Sequence, residues 1–196
     1  MGASDSKAGN YFKSSQFKDL VKRTHFNQNE AKAIYDIFQS VSPDGITIDK
    51  IIFQYILRLQ PGLFADRIYL VFDQDRDDVL TFSELLIGLS VFSNRGTIDE
   101  KLRFSFRIYD FDGDGTIDED ELCRILIASS VDDSMTEEEV KKSVGAMFHE
   151  ADENGDGRIN FDEYRTLMLK HPSVLRQMKE SEDDLYDQQQ MMEGEG

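Results

Sequence analysis

Apolar residues recur at helical spacing on both sides of four polar segments in this chain. Before one such segment they stand at Leu102, Phe106 and Tyr109, and after it at Leu122 and Leu126. Spacings of three and four residues place side chains on one face of a helix. The pattern therefore predicts four repeats of helix, polar loop and helix, and an all-α fold.

The polar segment 110–121 carries oxygen-bearing residues at loop positions 1, 3, 5, 7, 9 and 12. This is the D-x-[DN]-x-[DN]-G-x₅-E calcium loop without a mismatch. Calcium takes 6–8 oxygen ligands, and position 7 contributes its backbone carbonyl. Gly115 at position 6 permits the sharp turn. The candidate ligands of this loop are Asp110, Asp112, Asp114, Thr116, Asp118 and Glu121.

Two further loops repeat the pattern, so the sequence predicts up to three bound Ca²⁺. Loop 152–163 matches fully, and its candidate ligands are Asp152, Asn154, Asp156, Glu163 and the backbone carbonyl of Arg158. Loop 73–84 offers Asp73, Asp75, Asp77, Val79 (through its carbonyl) and Glu84. Asp78 replaces glycine at its position 6, which costs roughly 1 kcal/mol. We expect weaker binding there, and the two sites of the C-terminal lobe should be the tightest.

The first repeat has lost most of its ligands. Its loop runs from Gln39 to Ile52, two residues longer than the standard twelve, and Asp44 and Asp49 are its only carboxylates. An isoleucine stands where the closing glutamate belongs. We expect a structural hand that binds calcium feebly at best.

Hands pair through a short strand at loop position 8, so Ile48 should pair with Leu80 and Ile117 with Ile159. Two lobes follow, joined by Ser93–Gly96. Good capping boxes at Thr97, Thr136 and Thr81 support the helix starts. The predicted domains are a basic N-terminal segment (1–25), an N-terminal lobe (26–92), a C-terminal lobe (97–170) and an acidic tail (171–196).

Net charge and histidine placement exclude two classes of function. The chain carries a net charge of −17, which argues against nucleic acid because phosphate contacts need clustered Lys and Arg. Its three histidines, His25, His149 and His171, are scattered without zinc spacing, and we see no phosphate loop or nucleophile elbow. We therefore expect no catalytic activity.

The N-terminal segment differs in charge from the rest. Residues 1–25 hold five basic and two acidic residues, a net of +3 that leaves −20 for the remainder. The start M-G-A-S-D-S fits the N-myristoylation pattern, with Gly2 as acceptor. One acyl chain binds membranes weakly, so the basic segment would supply a second signal. This predicts a cytoplasmic protein with peripheral membrane association. The alternative is an ordinary first helix that packs Phe17, Leu20 and Val21 on the core.

A resemblance to a known family rests on longer stretches. Residues 101–126, KLRFSFRIYDFDGDGTIDEDELCRIL, resemble calcineurin B and its relatives. The stretches FNQNEAKAIYDIFQSVS, LFADRIYLVFD, LSVF and KHPSVLRQM are most similar to the plant-type calcineurin B-like (CBL) calcium sensors. The resemblance implies four EF-hands, no catalysis, and a regulatory subunit whose hydrophobic groove holds an amphipathic helix of its target.

The target stays open at this point. CBL-type proteins imply a Ser/Thr kinase, although the tail here lacks the Phe-Pro-Ser-Phe motif of that group. A phosphatase catalytic subunit is the calcineurin B-type alternative, and calaxin-type or calcium- and integrin-binding-type partners are further ones. A calcium buffer is a different class of function. We expect the groove to be lined by Phe82, Leu85, Leu89, Phe92, Ile125 and Leu126.

Overall fold

The computed structural model describes residues 11–129 and 136–170. The predictions for Gly2 and for the acidic tail 171–196 lie outside these residues. The all-α prediction is confirmed. The elements are α1 (Ser15–Lys22), α2 (Gln28–Val41), β1 (Thr47–Ile48), α3 (Lys50–Ile56), α4 (Leu63–Phe72), β2 (Leu80–Thr81), α5 (Phe82–Ser90), α6 (Ile98–Tyr109), β3 (Thr116–Ile117), α7 (Glu119–Ser129), α8 (Glu137–Ala151), β4 (Ile159–Asn160) and α9 (Phe161–Lys170).

Side-chain caps fix the starts of the helices. In each predicted capping box, a threonine hydroxyl accepts a bond from the backbone N–H three residues later, and the glutamate there accepts from the threonine N–H. The pairs are Thr81 with Glu84, Thr97 with Glu100, and Thr136 with Glu139. These bonds satisfy N–H groups that the first helical turn leaves without partners, and the predictions are confirmed.

Two short antiparallel strand pairs join the loops as the repeat predicted. In the β1–β2 pair Ile48 lies opposite Leu80, and in the β3–β4 pair Ile117 lies opposite Ile159. All four side chains are at most 2% exposed. The apolar residue at loop position 8 therefore anchors each loop in a core while its backbone pairs with the neighbouring loop.

By its contacts the chain forms two compact units. The first contains the described residues up to Leu59 together with Phe72–Gly96, and the second contains Gln60–Val71 together with the described residues from Thr97 onward. Most of helix α4 thus belongs to the second unit, whereas sequence alone grouped it with residues 26–92.

Aromatic rings dominate the core of the first unit. Phe38, Phe53 and Phe72 are almost fully buried, and the rings of Phe53 and Phe72 meet edge to face with centroids 4.9 Å apart. Helix α1 buries Phe17 and Leu20. The apolar side of this helix therefore packs on protein, as the alternative for the N-terminal segment predicts.

The core of the second unit is a continuous cluster from α6 to α9. Its members are Leu102, Phe106, Ile117, Leu122, Val140, Val144, Phe148, Ala151, Ile159, Tyr164 and Leu167. The helices on both sides of loops 110–121 and 152–163 contribute to it, so the two loops share one support. In the described part of the chain, none of the helices combines the length and the apolar character required to traverse a bilayer.

Candidate calcium-binding loops

Loop 110–121 begins where α6 ends, and its first carboxylate organises the turn. Both oxygens of Asp110 accept backbone bonds, Oδ1 from the N–H of Gly113 (2.8 Å) and Oδ2 from the N–H of Gly115 (3.1 Å). The Asp110 side chain is buried at the bottom of the loop. The loop backbone therefore folds around the acidic group at position 1.

The closing carboxylate of this loop joins its two ends. Oε1 of Glu121 accepts the N–H of Phe111 (2.8 Å), and Oε2 accepts the N–H of Asp118 (2.9 Å). Carboxylate oxygens of Asp110, Asp112 and Glu121 lie within 4.8 Å of one another. Three acidic groups so close repel each other, and a hard divalent cation removes that repulsion.

Loop 152–163 repeats this arrangement. Asp152 accepts the N–H of Gly155 at Oδ1 (2.8 Å) and the N–H of Gly157 at Oδ2 (2.9 Å). Glu163 accepts the N–H of Asn160 at Oε2 (2.9 Å) and is buried like its counterpart. Position 3 of this loop holds an amide in place of a carboxylate, and Nδ2 of that residue, Asn154, donates to Asp156 (3.0 Å).

Loop 73–84 contains an unsatisfied oxygen. Asp73 is 1% exposed; its Oδ2 accepts the N–H of Asp78 (3.0 Å), but its Oδ1 has no hydrogen-bond partner among the described residues. Burial raises the pKa of this carboxyl group. Oxygens of Asp73, Asp75 and Glu84 lie within 4.8 Å of one another. A buried carboxylate oxygen without a donor is costly unless a cation meets it, so these residues fit Ca²⁺.

The same loop holds two residues in left-handed backbone conformation. Arg76 has φ 61° and Asp78 has φ 64°. The equivalent residues of the other two loops are glycines with φ between 72° and 87°, namely Gly113, Gly115, Gly155 and Gly157. The strain at Asp78 was predicted from the sequence and that at Arg76 was not, although the glycine at position 4 of both other loops was a visible signal.

The aspartates at position 5 of two loops accept hydrogen bonds from backbone N–H groups of their own loop. Oδ1 of Asp77 accepts the N–H of Val79 (3.0 Å), and Oδ1 of Asp114 accepts the N–H of Thr116 (2.8 Å). The Arg158 side chain does something the sequence did not reveal. Its guanidinium donates to Oδ2 of Asp114 (2.5 Å) and to the Thr116 hydroxyl (2.9 Å). A positively charged side chain of loop 152–163 therefore forms an ion pair with a candidate ligand of loop 110–121.

In the first hand, polar side chains of the loop form hydrogen bonds to the loop's own backbone. Nε2 of Gln39 donates to the carbonyl of Gly45 (2.5 Å), and Oδ1 of Asp44 accepts the N–H groups of Ile46 and Thr47 (both 2.8 Å). These backbone bonds hold the pKa of Asp44 well below its usual range. The carboxylate is thus engaged by its own loop, and the absence of a strong calcium site here stays a prediction.

The expected groove lining needs correction. Phe82, Leu85 and Ile125 are at most 6% exposed and belong to the cores. Helical periodicity cannot separate a core face from a groove face, since both require apolar residues at the same spacing. Phe92, which was also expected in the groove, is 48% exposed. Among the described residues of the first unit, the other exposed large apolar side chains are Ile37, Ile46, Ile51 and Tyr55, with exposed fractions of 58%, 68%, 74% and 79%.

Comparison with known proteins places the chain in a family. The EF-hand domain pair matches residues 99–169. The calcineurin B protein of Naegleria gruberi is 35% identical over 164 residues, which cover 83% of this chain and 92% of the relative. The calcineurin B protein of Candida glabrata is 35% identical over 172 residues, with coverage of 86% and 91%. The type 2 calcineurin B protein of Rattus norvegicus is 34% identical over 151 residues, with coverage of 74% and 82%. With these relatives and three loops of calcium-ligand spacing, the chain belongs to the calcineurin B family of EF-hand calcium-binding regulatory proteins.

Proposed function

We propose that this protein is a calcium-responsive regulatory subunit that binds up to three Ca²⁺ and holds an amphipathic helix of a phosphatase catalytic subunit. The observation that carries the calcium part is the common construction of the three loops, in which an aspartate at position 1 accepts backbone bonds from the loop and a buried glutamate stands at position 12. The names of the relatives, which are subunits of calcineurin, support the catalytic partner.

The proposed ligands are those of the three loops, and substitution of each closing glutamate tests them. Glu84→Gln, Glu121→Gln and Glu163→Gln should each remove one site in titration calorimetry, because one oxygen of the bidentate ligand becomes an amide nitrogen. Glu119→Gln is the control, since Glu119 is exposed and lies outside the ligand positions. Unchanged stoichiometry in all three variants would refute the ligand assignment.

The partner surface we propose lies on α3. Ile51 and Tyr55 are four residues apart, so they share one face of this helix, and both are largely exposed. Exposed apolar patches can mark interaction sites, and the apolar face of a partner's amphipathic helix would pack against these two side chains.

A paired substitution tests this surface. Ile51→Glu with Tyr55→Glu should leave calcium binding intact and abolish recovery of the partner from a lysate. Gln28→Glu, an exposed polar position on α2, is the control for added negative charge. If the double variant recovers the partner as well as the wild type does, the binding surface lies elsewhere.

A kinase is the second candidate partner. The stretches 26–42 and 63–73 that resemble CBL-type sensors support it. Purified catalytic subunits separate the two: we expect calcium-dependent binding of a calcineurin-type phosphatase catalytic chain with a Kd at least tenfold lower than that of a CBL-type kinase regulatory segment. A lower Kd for the kinase segment would instead identify a kinase as the partner.

We further propose that the N-terminal segment holds the protein at membranes through a myristoyl group on Gly2. With Phe17 and Leu20 buried, α1 and the residue before its cap leave Lys13 and Lys18 exposed toward solvent. Each exposed Lys near an anionic surface contributes about 1 kcal/mol.

Vesicle binding and cell fractionation test this localisation. Gly2→Ala should become soluble, and Lys13→Glu with Lys18→Glu should keep the acyl chain yet bind anionic vesicles more weakly. Lys141→Glu with Lys142→Glu changes the charge equally at exposed positions on α8 and should bind as the wild type does. A native N-terminus without a myristoyl adduct in mass spectrometry would refute the acylation.

A further inference from the structure

Arg67 on α4 binds the end of another helix in the second unit. Its side chain is 9% exposed. Its guanidinium donates to the backbone carbonyls of Arg107 (2.9 Å), Ile108 (3.1 Å), Asp110 (2.5 Å) and Phe111 (3.2 Å). Arg67 thus makes four bonds to a stretch of five residues at the C-terminal end of α6.

The planar group of Arg67 also stacks against the loop. Its guanidinium carbon lies 4.4 Å from the centre of the Phe111 ring. Carbonyls at a helix C-terminus have no partner within the helix and carry partial negative charge, so a buried cation both satisfies and neutralises them. The forked guanidinium can reach several acceptors at once, which an ammonium cannot do with the same geometry.

Two of the four carbonyls that Arg67 binds, those of Asp110 and Phe111, belong to the calcium loop itself. Asp110 and Phe111 occupy positions 1 and 2 of loop 110–121, and the Phe111 N–H donates to Glu121. Arg67 therefore fixes the backbone that carries the first ligand, while α4, on which it stands, ends at Phe72 immediately before Asp73.

A second arginine connects the same two helices in the opposite direction. Nη2 of Arg107 on α6 donates to the carbonyl of Val71 (3.3 Å), two residues before the start of loop 73–84. Each of these two helices, α4 and α6, thus receives an arginine from the other near its C-terminal end. If calcium binding at loop 73–84 rotates α4, that rotation must either move Arg67 relative to loop 110–121 or move α6 together with α4.

We propose that Arg67 is a positioning residue that couples calcium binding at loop 73–84 to calcium binding at loop 110–121. The coupling rests on the proposed function, since it requires that both loops bind. By linkage, occupation of either loop then raises the affinity of the other by the same factor. This makes the weaker second hand a regulator of the third.

Simple electrostatics and this positioning role predict opposite effects of removing the charge. Loss of a cation near Asp110 should by Coulomb's law strengthen Ca²⁺ binding. Loss of the four carbonyl contacts should instead loosen position 1 and weaken binding. We expect Arg67→Met to lower the affinity of loop 110–121, and Arg67→Lys, which keeps the charge without the fork, to restore it only in part.

The decisive experiment is a double-mutant cycle read at one loop. The amide resonance of Gly115 reports loop 110–121 because its N–H donates to Asp110, and it is followed by NMR during calcium titration. When Arg67 is present, Glu84→Gln should weaken calcium binding at loop 110–121 about fivefold. In Arg67→Met, Glu84→Gln should have no further effect. Arg124→Met removes an exposed arginine of α7 and should leave the fivefold factor intact.

The outcomes separate the coupling from the calcium assignment. An equal effect of Glu84→Gln with and without Arg67, or no effect in the wild type, would overturn the coupling while the calcium sites stand. If the Gly115 resonance does not shift at saturating calcium, both the coupling and the calcium assignment of loop 110–121 are wrong.

A metal-free measurement adds an independent readout. In hydrogen exchange without calcium, amides 110–115 should exchange faster in Arg67→Met than in the wild type or in Arg124→Met. Unchanged exchange would count against the positioning role, because Arg67 binds the backbone carbonyls of Asp110 and Phe111 within this stretch.

Discussion

Relief of backbone strain in loop 73–84 should strengthen its calcium site, and Asp78 allows a clean test. Asp78→Gly removes a side chain from left-handed geometry (φ 64°). It also removes a negative charge near the site, which by itself weakens cation binding. Asp78→Asn is the matched control, because it loses the same charge and keeps a side chain of the same size in the same conformation.

The magnitude follows from the backbone angle and the surroundings. A side chain in left-handed geometry costs about 1–2 kcal/mol, with Asp and Asn at the low end. Glycine loses part of this gain through the greater freedom of the unfolded chain. A net difference of about 1 kcal/mol between the Gly and Asn variants corresponds to roughly a fivefold ratio in Kd.

The reciprocal change in loop 110–121 should have the opposite sign. Gly115 has φ 87°, and a Cβ at this position would meet nothing within 4 Å. Gly115→Ala therefore isolates conformational strain from steric clash, and we expect it to weaken its loop or destabilise the second unit by about 1–2 kcal/mol in total.

Relief of the strain can raise either the calcium affinity or the stability of the calcium-free protein. Titration calorimetry measures the first and urea unfolding measures the second. If the loop is preformed the gain in Asp78→Gly appears as stability of the calcium-free protein, and if calcium forms the loop it appears as affinity. The reasoning fails if Asp78→Gly and Asp78→Asn agree in both Kd and free energy of unfolding.

Three further predictions concern packing, the first hand and the paired loops. Gly88→Ala should lower the free energy of unfolding by about 1–3 kcal/mol in urea denaturation, because the added Cβ would clash with the buried Phe72 ring. Asp44→Asn should leave calcium stoichiometry unchanged at neutral pH. Arg158→Met should raise the calcium affinity of loop 110–121 in calorimetry, because it frees Asp114 from an ion pair.

Each of these has a matched control or a decisive contrary result. Gly145→Ala on α8 meets only a side-chain oxygen at 3.3 Å, so it should stabilise the protein by about 0.5–1 kcal/mol.

Hydrogen bonds lower the pKa of Asp44 in the folded protein. The stability that this carboxylate contributes is therefore present above its pKa in the unfolded chain and is lost as pH falls. The stability difference between wild type and Asp44→Asn should therefore shrink below about pH 4, and a constant difference would refute this. Arg158→Lys should bind calcium as the wild type does.

The sequence by itself determined the features that depend on neighbours in the chain. Twelve contiguous residues specify a calcium loop, so the candidate ligands of loops 110–121 and 152–163 could be named from spacing, as could the capping boxes three residues apart. The strand pairs followed because equivalent positions of two repeats must meet. The strain at Asp78 was also visible, since only glycine takes that turn without cost.

Apart from the strand pairs, which the repeat itself predicted, only the tertiary structure revealed the contacts between residues distant in sequence. The bonds from Arg67 to the end of α6 span about forty residues of sequence, and the Arg158–Asp114 pair spans a similar distance. Neither leaves a periodic signal. The grouping of α4 with the second unit has the same origin. Phe82 and Ile51 are both apolar residues of predicted helices, yet Phe82 is buried and Ile51 is exposed. The difference depends on which helices pack together, and the sequence near each residue does not contain that information.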